Sequence, residues 1–157
     1  RAGTAVEPLK QVVIGQLPYA LFIPETLVPR SRRDDLPWIL EHVPWATLAT
    51  DASFLARVTD AAAKHDLKFD VLLEAESFPQ AARAVATGSF AGILPVAAKH
   101  EFTGQKVLMF QPAFLTAVTR KLALVFHPRL LRIRPEARVA ADWLTRELKE
   151  SLKKVPG

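Results

Sequence analysis

One stretch constrains the fold more than any other: Leu67 to Pro95, LKFDVLLEAESFPQAARAVATGSFAGILP. It reads as strand, helix, strand. Phe69 to Leu73 is an apolar run suited to a buried strand. Ser77 then offers a helix N-cap, with Pro79 in the first turn and Gln80 three positions after the cap. That S-x-x-Q spacing is a capping box, in which cap and third residue satisfy each other's orphan backbone N–H. Phe78, Ala81, Ala82 and Val85 recur at helical spacing, so one face of the helix is apolar. Gly88 can take the positive φ that ends a helix. Ala91 to Leu94 makes the next strand, closed by Pro95. A β-α-β unit of this kind is a right-handed parallel crossover, and ligands of open α/β sheets bind beyond the carboxyl ends of the strands. Here that place is Glu74 to Phe78.

The rest of the chain alternates in the same way, which predicts an α/β domain. Val6 to Val13 reads as an irregular strand or strand pair, Gly15 to Pro18 as a turn, and Tyr19 to Ile23 as a strand. A proline-punctuated connection runs from Pro24 to Arg33, and Asp34 to Glu41 suits a short helix. Trp45 to Leu48 is a short strand. Asp51 to Lys64 is a helix with Phe54, Leu55, Val58, Ala61 and Ala62 on one face. A helical turn over 96–101 follows, then strands at Lys106 to Phe110 and Val118 to Phe126. The longest helix is Pro135 to Leu152, with an apolar stripe that includes Val139, Ala140, Trp143, Leu144 and Leu148.

Composition excludes several classes. The 157 residues suffice for a real core, and half are hydrophobic. With no cysteine, disulfides, thiolate nucleophiles and Cys-based metal sites are ruled out, and the absence fits a cytosolic protein. No apolar run approaches the roughly 18 residues that cross a bilayer. The net charge of +5 gathers at Arg30 to Arg33, Arg129 to Arg134 and Lys149 to Lys154. These clusters are not interleaved with aromatics and sit in no helix-turn-helix pattern, so they read as solvated surface. The four histidines are scattered, without H-E-x-x-H, and no serine stands in a G-x-S-x-G elbow. Gly88 to Gly92 enters a strand and lacks a Lys-Ser/Thr ending, so it is no phosphate loop. No coherent catalytic or metal constellation remains, and the chain is expected not to be an enzyme.

Two polar loops stand out. Thr50-Asp51-Ala52-Ser53-Phe54 follows a strand and opens a helix, and Glu76-Ser77-Phe78 does the same. Capping alone explains such residues, worth about 0.5–2 kcal/mol each. Free N–H groups and hydroxyls at a helix start also suit an anion, although Asp51 would repel one unless it faces away. Glu74 and Glu76 lie two apart, so an extended chain sets them on one face. A solvated strand end accounts for them more simply than acid–base work or cation binding.

These residues also carry a resemblance. Val85-Ala86-Thr87-Gly88 followed by Ile93-Leu94-Pro95 is similar to the helix end V-A-A-G and strand end L-P of LysR-type transcriptional regulators, in their effector-binding domain. YALFIP at Tyr19 to Pro24 resembles that family's crossover strand, and WATLATDASF at Trp45 to Phe54 the strand and ligand loop opening its second subdomain. LALVFH at Leu122 to His127 resembles the return strand, and Arg134 to Leu148 the C-terminal helix. One departure is Phe90, where the family usually carries a second glycine; its ring would narrow the space beside the helix end.

The resemblance implies a type 2 periplasmic-binding-protein-like α/β fold with one complete lobe plus part of a second. Residues 26–127 would form the complete second lobe, and residues 1–25 with 128–157 part of the first. The start of the first lobe and the N-terminal winged helix-turn-helix would be absent, making the chain a fragment of a longer polypeptide. It implies a small-molecule effector, such as an organic anion, received between lobes by Thr50, Asp51, Ala52, Ser53, Phe54, Glu76, Ser77 and Phe78. It further implies a cytoplasmic regulator needing no cofactor or metal, a homodimer or higher oligomer formed through this domain, contact with DNA only through the absent domain, and none with membrane. Two rivals share the fold: a secreted solute receptor, and an enzyme using Glu74, Glu76 or Asp51.

Overall fold

The computed structural model describes residues 9–48 and 52–153. The chain divides into two units. The larger is Pro18–Thr119; the smaller joins, among the described residues, 9–17 to 120–153. These boundaries lie upstream of those expected near 25/26 and 127/128. The reason is pairing: the Tyr19 strand is central to the larger unit's sheet, and the Arg120 strand pairs only within the smaller unit.

The larger unit is built on β2 (Tyr19–Pro24), β3 (Trp45–Leu48), β4 (Val71–Ala75), β5 (Ala91–Pro95) and β6 (Val107–Phe110), in the order β4-β3-β5-β2-β6. β3 runs parallel to β4 and β5, whereas β2 is antiparallel to β5 and β6. β2, β3 and β5 are buried at every position, as strands covered on both faces must be. One face carries α1 (Leu36–His42), α2 (Ala52–Ala63) and α4 (Ala113–Thr116). There Ile39, Phe54, Val58 and Leu115 pack with Trp45, Leu21 and Ile93. The other face carries α3 (Phe78–Ala86), where a Cβ on Gly92 would stand 2.7 Å from Val85 Cγ2. Phe102, in a 3-10 segment after β5, meets Phe22 at 5.1 Å between ring centroids.

Connection handedness explains this placing. From β3 the chain steps outward through α2 to β4, then returns through α3 past β3 to β5. Right-handed crossovers in opposite directions must lie on opposite faces. β4 is the edge strand, which corrects the expectation of a buried strand at 69–73: it starts two residues later, and Leu72 is 70% exposed.

Local signals act as expected at several ends. Ser77 caps α3, and Gly88 follows that helix at φ 78°. α2 ends instead through Asp66, the one non-glycine residue of positive φ among those described. The Leu67 N–H reaches back to the Ala62 carbonyl at 3.1 Å, as in a Schellman closure. α1 is capped by Asp35, whose carboxylate accepts from the Trp38 N–H at 3.1 Å and from Arg32 at 2.7 Å. The Trp38 N–H first, then Arg32, holds this carboxyl below the ordinary aspartate range. A depressed carboxyl stabilises the fold above its unfolded pKa and ceases to as pH falls through the folded one. Asp35→Asn should therefore lower the melting temperature at neutral pH and make no difference at strongly acidic pH. An equal deficit at both would show that the charge is irrelevant.

The smaller unit pairs β1 (Lys10–Leu17) antiparallel with β7 (Arg120–Phe126) and adds α5 (Pro128–Ile133) and α6 (Pro135–Lys153). The turn expected at Gly15 is instead a bulge inside β1: the register skips from Val13 to Gly15, leaving Ile14 as the extra, buried residue. A Cβ on Gly15 would lie 3.1 Å from Leu152 Cδ1, so α6 crosses the strand there. The expected stripe of α6 needs correction. Its covered face runs through Ala137, Ala141, Thr145, Leu148 and Leu152, whereas Val139, Trp143 and Leu144 are exposed. A two-stranded sheet is narrow, and it covers only the small-residue side of the helix. The short helices α4 and α5 had no sequence counterpart. Among the described residues no helix is long and apolar enough to cross a membrane.

Candidate functional site

The parallel register sets Leu48 opposite Ala75, so β3 and β4 end on the same edge of the sheet. Their following helices, α2 and α3, leave to opposite faces. The order β4-β3-β5 reverses between β3 and β5, which makes that junction the topological switch point, with the loop after β4 beside it, where open α/β sheets admit ligands. β5 ends on the same edge at Pro95, and antiparallel β2 begins there at Tyr19, which pairs with Pro95.

The side chains converge on Tyr19. Its ring lies 4.5 Å from that of Phe54 on α2 and 6.0 Å from that of Phe78 on α3. Residues far apart in sequence thus meet through one aromatic, as strand polarity requires. Tyr19 is not among the residues the sequence points to for the site, and its only signal there is its position at the start of the crossover-like strand. Phe54 is fully buried, on the sheet-facing stripe of α2, and acts as packing beneath the edge rather than as a surface a ligand touches. Phe78 is half-buried beside it.

The polar groups differ in their ties. Ser77 is exposed, and its Oγ accepts from the Gln80 N–H at 3.4 Å. Gln80 Oε1 accepts from the Glu76 N–H at 2.8 Å, so the returning bond falls one residue before the cap instead of on Ser77 itself. Ser53 is exposed, and its carbonyl accepts from Arg57 Nε at 3.3 Å, which sets a guanidinium one turn into α2. Glu74 and Glu76 are both exposed. Thr47, in the strand that leads to the first loop, is fully buried, and its hydroxyl has no hydrogen-bond partner among the described residues. Thr50 and Asp51 lie outside the described residues, as does the side chain of Ala52. Among the described residues no group of three or more His, Asp or Glu could hold a metal ion.

No protein-family model matches this sequence, and no curated protein matches it significantly. Solved structures do match. The reduced regulatory domain of OxyR2 from Vibrio vulnificus is 17% identical, with 94% of this chain and 67% of that one covered and a TM-score of 0.59. The regulatory domain of MexT, a transcriptional activator in Pseudomonas aeruginosa, is 15% identical, with 89% and 68% covered and a TM-score of 0.63. CbnR, a LysR family transcriptional regulator, is 15% identical, with 76% of this chain and 42% of that one covered and a TM-score of 0.53. At these identities the likeness is one of fold. The chain has the α/β, type 2 periplasmic-binding-protein-like fold of LysR effector-binding domains.

Proposed function

We propose that this chain is the greater part of the effector-binding regulatory domain of a LysR-type bacterial transcription factor. The observation that carries the proposal is the switch point: Ser53 and Ser77 open helices on opposite faces beside one strand edge, on a fold shared with regulatory domains. The effector is a small organic anion. Hydroxyls, helix-start N–H groups and Arg57 would receive its charge, and Phe78 its apolar part. Binding favours one arrangement of the protein over another, and no bond is made or broken.

The larger unit would be the family's complete second lobe. The smaller would be part of the first, whose missing strands would extend the two-stranded sheet, since such a pair is marginal alone. The assembled protein would be a cytoplasmic homodimer or higher oligomer that meets DNA through a separate winged helix-turn-helix.

Two measurements test this. The coding sequence upstream of Arg1 should encode a winged helix-turn-helix; a secretion signal there would favour a solute receptor. A thermal-shift screen of small organic acids should yield a ligand whose affinity falls by about 0.5–1.5 kcal/mol with Ser53→Ala or Ser77→Ala, the size of one lost hydrogen bond. Unchanged calorimetric affinity for both variants would reduce these serines to helix caps.

A further inference from the structure

The smaller unit carries a half-open cleft of about 390 Å³ between α5, α6 and the paired ends of β1 and β7, with its charged residues exposed at the rim. That volume lies within the range of about 300–1,000 Å³ typical of small-molecule sites. Val12, Phe126, Leu131 and the buried Ala141 give it apolar walls from four different elements. Its charged lining consists of Lys10, Arg132 and Arg138 against a single carboxylate, Asp142.

Arg138 and Asp142 stand one turn apart on α6, yet no ion pair joins them. The order explains this, because a cation N-terminal to its acid is the weaker i,i+4 arrangement. No described residue takes the guanidinium donors of Arg138. A guanidinium beside an apolar wall suits a carboxylate or phosphate, which it can bind through two parallel hydrogen bonds.

We infer that this cleft binds a small organic anion, a carboxylate or phosphate monoester with a compact aryl or alkyl body. Arg138 and Lys10 take the charged group, and Phe126 and Leu131 take the body. The site uses none of the residues at the strand edge.

The test is an NMR titration of the 157-residue chain with phenyl phosphate, with phenylacetate, and with inorganic phosphate as the probe lacking an apolar body. Saturable shifts at Val12, Phe126, Leu131 and Ala141 are expected with either aryl probe, which also ranks phosphate against carboxylate. Inorganic phosphate should bind about tenfold more weakly. Arg138→Ala should weaken aryl binding by about tenfold or more, as a lost charge-assisted contact does. Asp142→Asn should tighten it, a gain that a misfolded variant cannot produce. Absence of saturable binding by both aryl probes would overturn the inference. So would shifts confined to residues 76–78, or affinities that neither substitution alters.

Discussion

Trp45→Ala should lower the unfolding free energy by about 3–5 kcal/mol in a urea titration followed by circular dichroism. The side chain is fully buried at the start of β3, and its Nε1–H donates to the Leu40 carbonyl at 3.0 Å. Its ring also meets Phe69 edge-on, 6.0 Å between centroids. Truncation empties the largest fully buried side chain and leaves the α1 carbonyl unpaired. For a domain stable by about 5–15 kcal/mol, that is a large share of the total. Trp45→Phe keeps most of the volume and loses only the donor, so about 1–3 kcal/mol should go. If both substitutions cost the same, the hydrogen bond rather than packing would dominate. If the alanine variant lost less than about 1 kcal/mol, the core described around β3 would be wrong.

Gly92→Ala should cost about 1–3 kcal/mol, the range for overpacking a close-packed interior. The added carbon would stand 2.7 Å from Val85 Cγ2 and 3.4 Å from Leu94 Cγ. Valine is stiff at χ1, so it cannot swing aside, and α3 must lift from the sheet. Val85→Ala removes the obstructing methyls. A double-mutant cycle should show the two changes offsetting each other by about 1 kcal/mol or more. Additive costs would mean that α3 does not rest on β5 at this point.

What was legible in the sequence was mostly local. The cap at Ser77, the stop at Gly88 and the strand Trp45–Leu48 depend on a few neighbouring residues, and each was read at its position. The order of elements was legible because proline and glycine punctuate it. What was missed depends on partners remote in sequence. Leu72 is apolar like its neighbours, and nothing local says that its strand lies at an edge. α6 carries two apolar stripes, and which one is covered depends on the width of the sheet beneath it. Gly15 could have been a turn; pairing of both flanks with β7 makes it a bulge. At the candidate site, the capping signal read at Ser77 corresponds to an observed helix cap. Tyr19 became visible only once antiparallel pairing with β5 brought it to the same edge.

The central place of β2 bears on how the chain must fold. Tyr19–Pro24 is apolar and buried throughout, and its neighbours in the sheet are β5 and β6: Phe22 meets Gly92, and Leu21 meets Phe110. Loop closure over such distances precedes any reward from the ladder, which slows folding. During synthesis at about 5–20 residues per second, this segment leaves the ribosome several seconds before its partners exist. For that interval it is a sticky strand with two open edges, the segment of the nascent protein most in need of a chaperone.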